Sequence, residues 1–433
     1  MKEKSPDFTI RALGKSTIPS PITSGYFMSD GRRVLYDPYL RPDSPRTADP
    51  PPSIEVAGPR KNIYFDPTRT RAAIVTCGGL SPGINDVIRS LVMALHYRYG
   101  VGKIAGIRYG FQGLVPSYGH EPVPLTPEVV DNIHTIGGSI LSSSRGNQDI
   151  KTMVDTLREM NIDILFCIGG DGTMRAAGRI ADEILARDIK MSVIGIPKTI
   201  DNDLNLIDKS FGFDTAISEA VDVIKCAHAE AKGGPMGIGL VKIMGRESGH
   251  IALSATLAQN DVNFVLIPEI PFDLEGEKGL LRTLEKRLLE RGHALILVAE
   301  GAGQELLCLD NAQKQTDASG NIRLHDIGTY LKERIEEYFR KKAFEINLKY
   351  IDPSYIIRSV PANASDSLYC ELLGQFAVHA AMAGKTELVV GLFKGEYVHL
   401  PLKSVASRKK VNTKGNLWMR VLEATGQPAS MKN

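Results

Sequence analysis

The run Ile164-Leu165-Phe166-Cys167-Ile168 closes on Gly169-Gly170 and passes directly into Asp171-Gly172-Thr173 and a stretch with helical spacing. An apolar run this long, without alternating polar residues, reads as a strand covered on both faces. Such a strand belongs in a parallel sheet flanked by helices. The pattern recurs. RAAIVTC from Arg71 leads into GGLSPG and the helical run NDVIRSLVMALHYRYG. KIAGIRYG is a further strand, TPEVVDNIHTIGG and KTMVDTLREMNI read as helices, and MSVIGIPKTIDND is strand then turn. Strands alternating with helices of about 10–15 residues indicate βαβ units.

The alternation restarts at Phe213. DTAISEAVDVIKCAHAEA is a helix, and MGIGLVKIMGRESGHIALSATLAQN is strand, glycine turn and helix. FVLIPEIPF is a strand, GEKGLLRTLEKRLLERG a helix, and HALILVAEGAG a strand with a glycine loop. GTYLKERIEEYFRKK reads as helix, LKYIDPSYIIRS as strand, SLYCELLGQFAVHAAMAGK as helix and ELVVGLFKGEYVHLPL as a hairpin. The fold class expected is α/β. It comprises two Rossmann-like three-layer domains with mostly parallel sheets, plus an irregular N-terminal arm. The expected divisions are an N-terminal extension (1–70), one α/β domain from 71–212 plus 366–405, a second from 213–365, and a C-terminal extension (406–433) that covers another surface or subunit.

The first 70 residues stand apart through YDPYLRPDSPRTADPPPS. Proline at that density forbids regular helix and interrupts ladders. An arm packed on the body, with a short strand near Ile54–Val56, and a loose tail are both open readings.

Of 433 residues, 43% are hydrophobic and 24% charged, enough for sizeable cores and too apolar for a disordered chain. The 52 Lys and Arg against 50 Asp and Glu leave a net charge of +2, which gives no support to a nucleic-acid binder. No run of 18 apolar residues suggests a membrane span, and the N-terminus lacks the apolar core of a signal peptide. Five cysteines at 77, 167, 226, 308 and 370 form no CxxC pair. An odd, dispersed set fits a reducing compartment, so cytoplasm is expected. Cys77 and Cys167 read as buried, inert thiols.

Glycine is in excess, 41 residues where about 30 would follow from the usual ~7%. Three expected strand ends carry glycine clusters: Gly78–Gly83, Gly169–Thr173, and Gly137-Gly138-Ser139 near Ser142–Gly146. Ligands in open α/β sheets bind beyond the carboxyl ends of strands, where glycine lets backbone approach phosphate. No cluster is GxxxxGK[ST], so this is not a P-loop enzyme, and none is GxGxxG, so a dinucleotide fold of the usual type is not supported. Phosphoryl transfer still fits. Asp171 reads as a metal carboxylate or as a helix N-cap. Pro197-Lys198-Thr199-Ile200-Asp201-Asn202-Asp203 reads as a catalytic loop, with an Asp to deprotonate a hydroxyl and Lys198 to neutralise transferred charge, or as an Asx-rich turn.

GGLSPGIN, GGDGT, PKTIDND and KIMGRESGH together resemble the 6-phosphofructokinase family, over residues from about 71 to about 400. The long N-terminal arm resembles its extended ATP-dependent branch. The resemblance implies Asp201 as base for the sugar 1-hydroxyl, with Asp203 beside the transferred group and Thr199 at the reacting end. It implies a nucleotide phosphate site from Gly79, Arg145, Gly146, Gly170, Asp171, Gly172 and Thr173. Arg145 and Lys198 would stabilise negative charge, and Asp171 would hold Mg2+. Met244, Gly245, Arg246, Glu300, Tyr355 and Arg358 resemble sugar-phosphate contacts. The active site would lie between the two domains and partly across a subunit interface, in a homo-oligomer, dimer or tetramer, with ATP and fructose 6-phosphate as ligands and neither nucleic acid nor membrane as partner.

Gly172 and Lys198 bear on the donor. In the family, Asp at the position of Gly172 accompanies pyrophosphate, since a carboxylate there would repel the α-phosphate of ATP. Lys at 198 occurs in pyrophosphate enzymes, and the pair Gly172 and Lys198 matches the extended ATP branch. ATP is the expected donor. A pyrophosphate-dependent enzyme and a non-catalytic sugar-phosphate or nucleotide sensor are the alternatives. Two family arginines for the 6-phosphate are replaced here by Gly237 and Ser367. The basic run Arg408-Lys409-Lys410 with Lys414 reads as an effector phosphate site or as a solvated face.

Overall fold

The computed structural model describes residues 6–23, 26–39, 50–307 and 323–433. The centre of the proline-rich stretch, 40–49, and Cys308 lie outside the described residues. The chain divides into two compact units. One comprises Met1–Thr199, Leu204–Gly212 and Pro361–Arg408, the other Ile200–Asp203, Phe213–Val360 and Lys409–Asn433.

In chain order, the arm contributes β1 (Arg11–Ala12), β2 (Ile18–Pro19), β3 (Arg33–Leu35), β4 (Ser53–Val56) and β5 (Asn62–Ile63). The first unit continues with β6 (Arg71–Thr76), α1 (Ile84–Met93), β7 (Lys103–Ile107), β8 (Val123–Pro124), α2 (Pro127–Val130), α3 (Ile150–Glu159), β9 (Ile164–Gly169), α4 (Asp171–Ala186) and β10 (Ser192–Pro197). The second unit supplies α5 (Phe213–Lys232), β11 (Gly237–Ile243), α6 (His250–Gln259), β12 (Phe264–Leu266), α7 (Leu280–Arg291), β13 (His293–Ala299), α8 (Ile327–Lys341), β14 (Asn347–Ile351) and α9 (Ser354–Ser359). The chain then returns to the first unit with α10 (Ala364–Met382), β15 (Lys385–Thr386), β16 (Leu388–Phe393), β17 (Glu396–Pro401) and α11 (Leu402–Val405). It closes in the second with α12 (Asn416–Thr425).

The first unit is built on nine strands in the order β3-β4-β17-β16-β10-β9-β6-β7-β8. The central five, β16 to β7, are parallel, and antiparallel strands finish both edges. Side-chain alternation makes the layers. Ile74, Phe166 and Ile194 share a core with Ile88 of α1 and Leu373 of α10. Val75, Cys167 and Val193 share another with Val154 of α3 and Ile180 of α4. The sheet is therefore covered on both faces, as the unbroken apolar runs require. The described residues of the arm are packed on the first unit. Phe8, Ile54 and Ile63 are buried, and β3 and β4 extend the main sheet. Cys77 and Cys167 are buried, and burial pushes the Cys77 thiol up to about 12.

The second unit carries a fully parallel sheet, β12-β13-β11-β14. Val241, Ile243 and Leu297 pack with α5 and α6 on one face, and Leu240, Ile296 and Val298 with α7 and α8 on the other. Trp418 and Val421 of α12 are buried in the α5–α6 core, so the C-terminal stretch is part of this unit's own packing.

Two elements differ from expectation. LKYIDPSYIIRS is not one strand: β14 stops at Ile351 and α9 begins at Ser354. Pro353 between them has no N–H for a ladder, and Asp352 Oδ1 accepts from the Ser354 amide at 3.1 Å to start the turn. TPEVVDNIHTIGG is not one helix but a single turn, α2, followed by a short 3-10 turn over Ile133–Thr135.

Candidate active site

The residues expected on the donor side lie in the first unit. After β6 the chain turns at Gly78, whose φ of +87° is the left-handed region that glycine tolerates. The Gly78 amide donates to Ser144 O at 3.2 Å, and Ser143 Oγ donates to Gly78 O at 2.7 Å. Two glycine-serine loops 65 residues apart are thereby joined. A Cβ on Gly79 would stand 3.4 Å from a terminal nitrogen of Arg145, so the guanidinium of that residue lies close to the Gly79 backbone. Gly146 follows it at φ +106°.

The β9 strand leaves the sheet through Gly169 and Gly170, and α4 begins at once. Gly170 is the N-cap, so Asp171 does not cap the helix; it stands in the first turn. Its Oδ2 accepts from Arg175 Nη1 at 2.9 Å and Arg408 Nε at 3.1 Å. Burial pushes the Asp171 carboxyl up. The bond from Arg408 and the charges of both arginines outweigh it and hold the group below the ordinary carboxylate value. Thr173 is buried. A Cβ on Gly172 would meet only Arg175, at 3.9 Å, so the space beside that residue is open.

Lys198 follows β10. Its amide donates to Gly169 O at 2.9 Å and its Nζ to Gly79 O at 2.7 Å. One buried lysine therefore touches both glycine exits. The Thr199 carbonyl accepts from Ser210 Oγ.

Most of the residues expected on the acceptor side lie in the second unit. Asp201 Oδ2 accepts from the Arg246 amide at 3.2 Å, and Ser248 Oγ donates to Asp201 O at 3.3 Å. Asn202 takes φ +51°, which Asn accommodates better than most side chains. Asp203 is buried, and its carbonyl accepts from the Lys409 amide at 2.7 Å. Lys409 Nζ lies 3.5 Å from Asn202 Oδ1. The TIDND segment is thus braced by the MGRES turn and by the basic C-terminal run.

Met244, Gly245 and Arg246 follow β11, and Glu300 follows β13. The two strands pair in parallel with Ile243 opposite Ala299. The Glu300 amide donates to Ile243 O at 2.9 Å, and Gly301 to Gly245 O at 3.1 Å. Burial raises the Glu300 carboxyl above its ordinary value against the lowering charges of Arg246, Arg358 and Lys242. Tyr355 and Arg358 share α9, with the guanidinium carbon 4.9 Å from the ring centre.

Several residues were not legible from motifs. Arg175 and Arg408 pair with Asp171. Lys242, one residue before the apolar end of β11, places Nζ 2.9 Å from both Asp326 and Asp352. Glu269 accepts from the amides of Gly249 and Val411. Of the two positions where family arginines are replaced, Gly237 has no room for a side chain: a Cβ there would fall 2.0 Å from Ala231 O. Ser367 sits on α10 of the first unit beside Asp86.

The phosphofructokinase family model matches residues 71–381. The chain belongs to the phosphofructokinase family. A relative named ATP-dependent 6-phosphofructokinase, from Borreliella burgdorferi, is 50% identical over 100% of this chain and 99% of its own. Another of that name, from Amycolatopsis methanolica, is 47% identical over 98% and 95%. ATP-dependent 6-phosphofructokinase 1 of Arabidopsis thaliana is 45% identical over 99% and 92%. The fold of the family appears in a solved pyrophosphate-dependent phosphofructokinase from Marinobacter aquaeolei. It has a TM-score of 0.67 and 19% identity over 82% of this chain and 91% of that one. A solved phosphofructokinase from Saccharomyces cerevisiae, at TM-score 0.62 and 21% identity over 82% of this chain and 47% of that one, shows the same fold.

Proposed function

We propose that this family member is an ATP-dependent 6-phosphofructokinase. It transfers the γ-phosphoryl group of ATP to the 1-hydroxyl of D-fructose 6-phosphate, giving fructose 1,6-bisphosphate and ADP, a glycolytic step. The observation that carries the donor is Gly172, with open space where other members carry a carboxylate.

The chemistry follows from the residues. Asp201 takes the proton of the 1-hydroxyl. The amide of Arg246 donates to Asp201 Oδ2 and holds the carboxylate in place for that step. As the hydroxyl oxygen bonds to the γ-phosphorus, the bridge to the β-phosphate breaks and ADP leaves. Arg145 and Lys198 meet the charge on the phosphoryl oxygens. Arg246, Arg358 and Glu300 orient the sugar phosphate. Mg2+ is the expected cation, and it shields phosphate charge when bound. Asp171 fits as its carboxylate because its Oδ2 already gathers two cationic side chains. Mg2+ is commonly held by one or two carboxylates together with phosphate oxygens.

The protein acts as a homo-oligomer, dimer or tetramer, with sites completed by a second subunit. Tyr355 and Ile356 on α9 are 76% and 62% exposed beside Arg358, which supports that reading. The cytoplasm is its compartment, supported by the four described cysteines all being free thiols. Among the described residues, no helix is long and apolar enough to cross a membrane.

Lys198 favours a second reading, pyrophosphate as donor. One assay separates them: fructose 6-phosphate and Mg2+ with either ATP or pyrophosphate. Turnover with ATP is expected. Turnover with pyrophosphate alone would establish the second reading, and turnover with neither, by folded and assembled protein, would point to a sensor.

A further inference from the structure

Two guanidiniums hold one oxygen of Asp171, and they are not equivalent. Arg175 lies one turn along α4 with its side chain 56% exposed. An exposed pair at that spacing is a weak, solvent-screened interaction. Arg408 arrives from 237 residues away and is 19% exposed. Its main chain is pinned by an antiparallel bridge to Leu204 and by the Asn205 amide on Ser407 O at 3.0 Å. Fixed backbone delivers this guanidinium, and its partial burial leaves it less screened by salt.

Under the function proposed above, Asp171 faces a polyphosphate. A bare carboxylate at that place repels phosphate until a divalent cation arrives. Asp171 stands between Gly170 and Gly172, neither of which has a side chain to shield it. A cation that stays on the carboxylate between turnovers removes that repulsion. We propose that Arg408 is a positioning residue of the donor site, the resident counter-ion that neutralises Asp171 toward phosphate whenever no divalent cation is bound. The inference rests on the donor-site reading of Asp171. It gives the basic C-terminal run a role different from an effector site or a solvated face.

The test is calorimetric titration of the full-length protein with ATP, in EDTA and again with Mg2+. Arg408→Gln is expected to weaken metal-free ATP binding about tenfold and to leave binding with Mg2+ within about twofold, because the cation then neutralises Asp171 itself. Arg175→Gln is expected to change either affinity by less than about threefold. The double variant Asp171→Asn with Arg408→Gln is expected to recover the metal-free affinity, since no charge is left to neutralise. An equal loss with and without Mg2+ would show Arg408 touching phosphate directly and overturn the counter-ion role. No change under either condition would overturn it as well. The underlying reading fails separately: Asp171→Asn that keeps the full Mg2+ dependence of ATP binding removes Asp171 from the donor site. If thermal melting shows Arg408→Gln to be unfolded, Arg408→Lys takes its place. A smaller loss confined to EDTA then supports the proposal, and a uniform loss or no loss overturns it.

Discussion

The roles proposed for Asp201 and Glu300 differ, and so do the surroundings of the two carboxylates. Asp201 is held by main chain, with the Arg246 amide 3.2 Å from Oδ2. General-base catalysis contributes about 10²–10⁴ in rate. Asp201→Ala should therefore lower kcat by at least about a hundredfold while fructose 6-phosphate binding, measured by calorimetry, changes only a few-fold. A near-normal kcat would remove Asp201 as base. Glu300 is raised above the ordinary 4.5, by burial first, against Arg246, Arg358 and Lys242. In the role proposed for it, the ionised form is the one that accepts from sugar hydroxyls. The KM for fructose 6-phosphate should rise as pH falls, beginning above pH 4.5. In Glu300→Gln the KM should be higher throughout and this inflection should disappear. A persisting inflection would assign it to another group.

At the scale of elements, the arm is held by a buried charge cluster as well as by β-pairing. Glu55 Oε1 on β4 meets Arg60 Nη2 at 2.6 Å, Lys385 Nζ at 2.8 Å and His399 Nδ1 of β17 at 2.9 Å. Asp30 adds a second carboxylate to Arg60 and Lys385. Removing one member of a buried ionic set typically costs about 3–5 kcal/mol, because the others are left uncompensated. Glu55→Ala should lose about that much at pH 7 in urea unfolding. Burial pushes the Glu55 carboxyl up, but His399 and Lys385 outweigh it and hold it far below the ordinary 4.5. A depressed acid stabilises above its unfolded value, and the contribution fades as pH falls through the folded one. The gap between wild type and Glu55→Ala should therefore narrow below pH 4.5. A constant gap from pH 7 to pH 3.5 would refute the ionic anchor. The same scale explains the two misread segments. Pro353 divides a run that otherwise reads as strand, and a one-turn helix falls below what periodicity resolves.

For the whole molecule, the residues proposed for the donor belong to the first unit, and the proposed base and sugar-phosphate residues to the second. Tyr355 and Ile356 are exposed apolar side chains on the helix that carries Arg358. A subunit that completes the site there predicts that activity is lost on dilution. Specific activity should fall together with the dissociation seen by sedimentation. Full activity in a demonstrated monomer would exclude shared sites.

The α/β class, the glycine-led loops and the PKTIDND segment were determined by local sequence. Apolar runs with no polar alternation permit only a strand covered twice, and glycine after each run leaves room for backbone to approach phosphate. The tertiary structure alone decided which runs are neighbours. Nothing local says that β16, nearly two hundred residues after β10, lies beside it. Nor does anything local place Gly245 against Gly301, or Arg408 on Asp171. Local conformation depends on residues a few positions apart. Strand order and ion pairing depend on which surfaces meet once the chain has folded, and no short window of sequence contains that information.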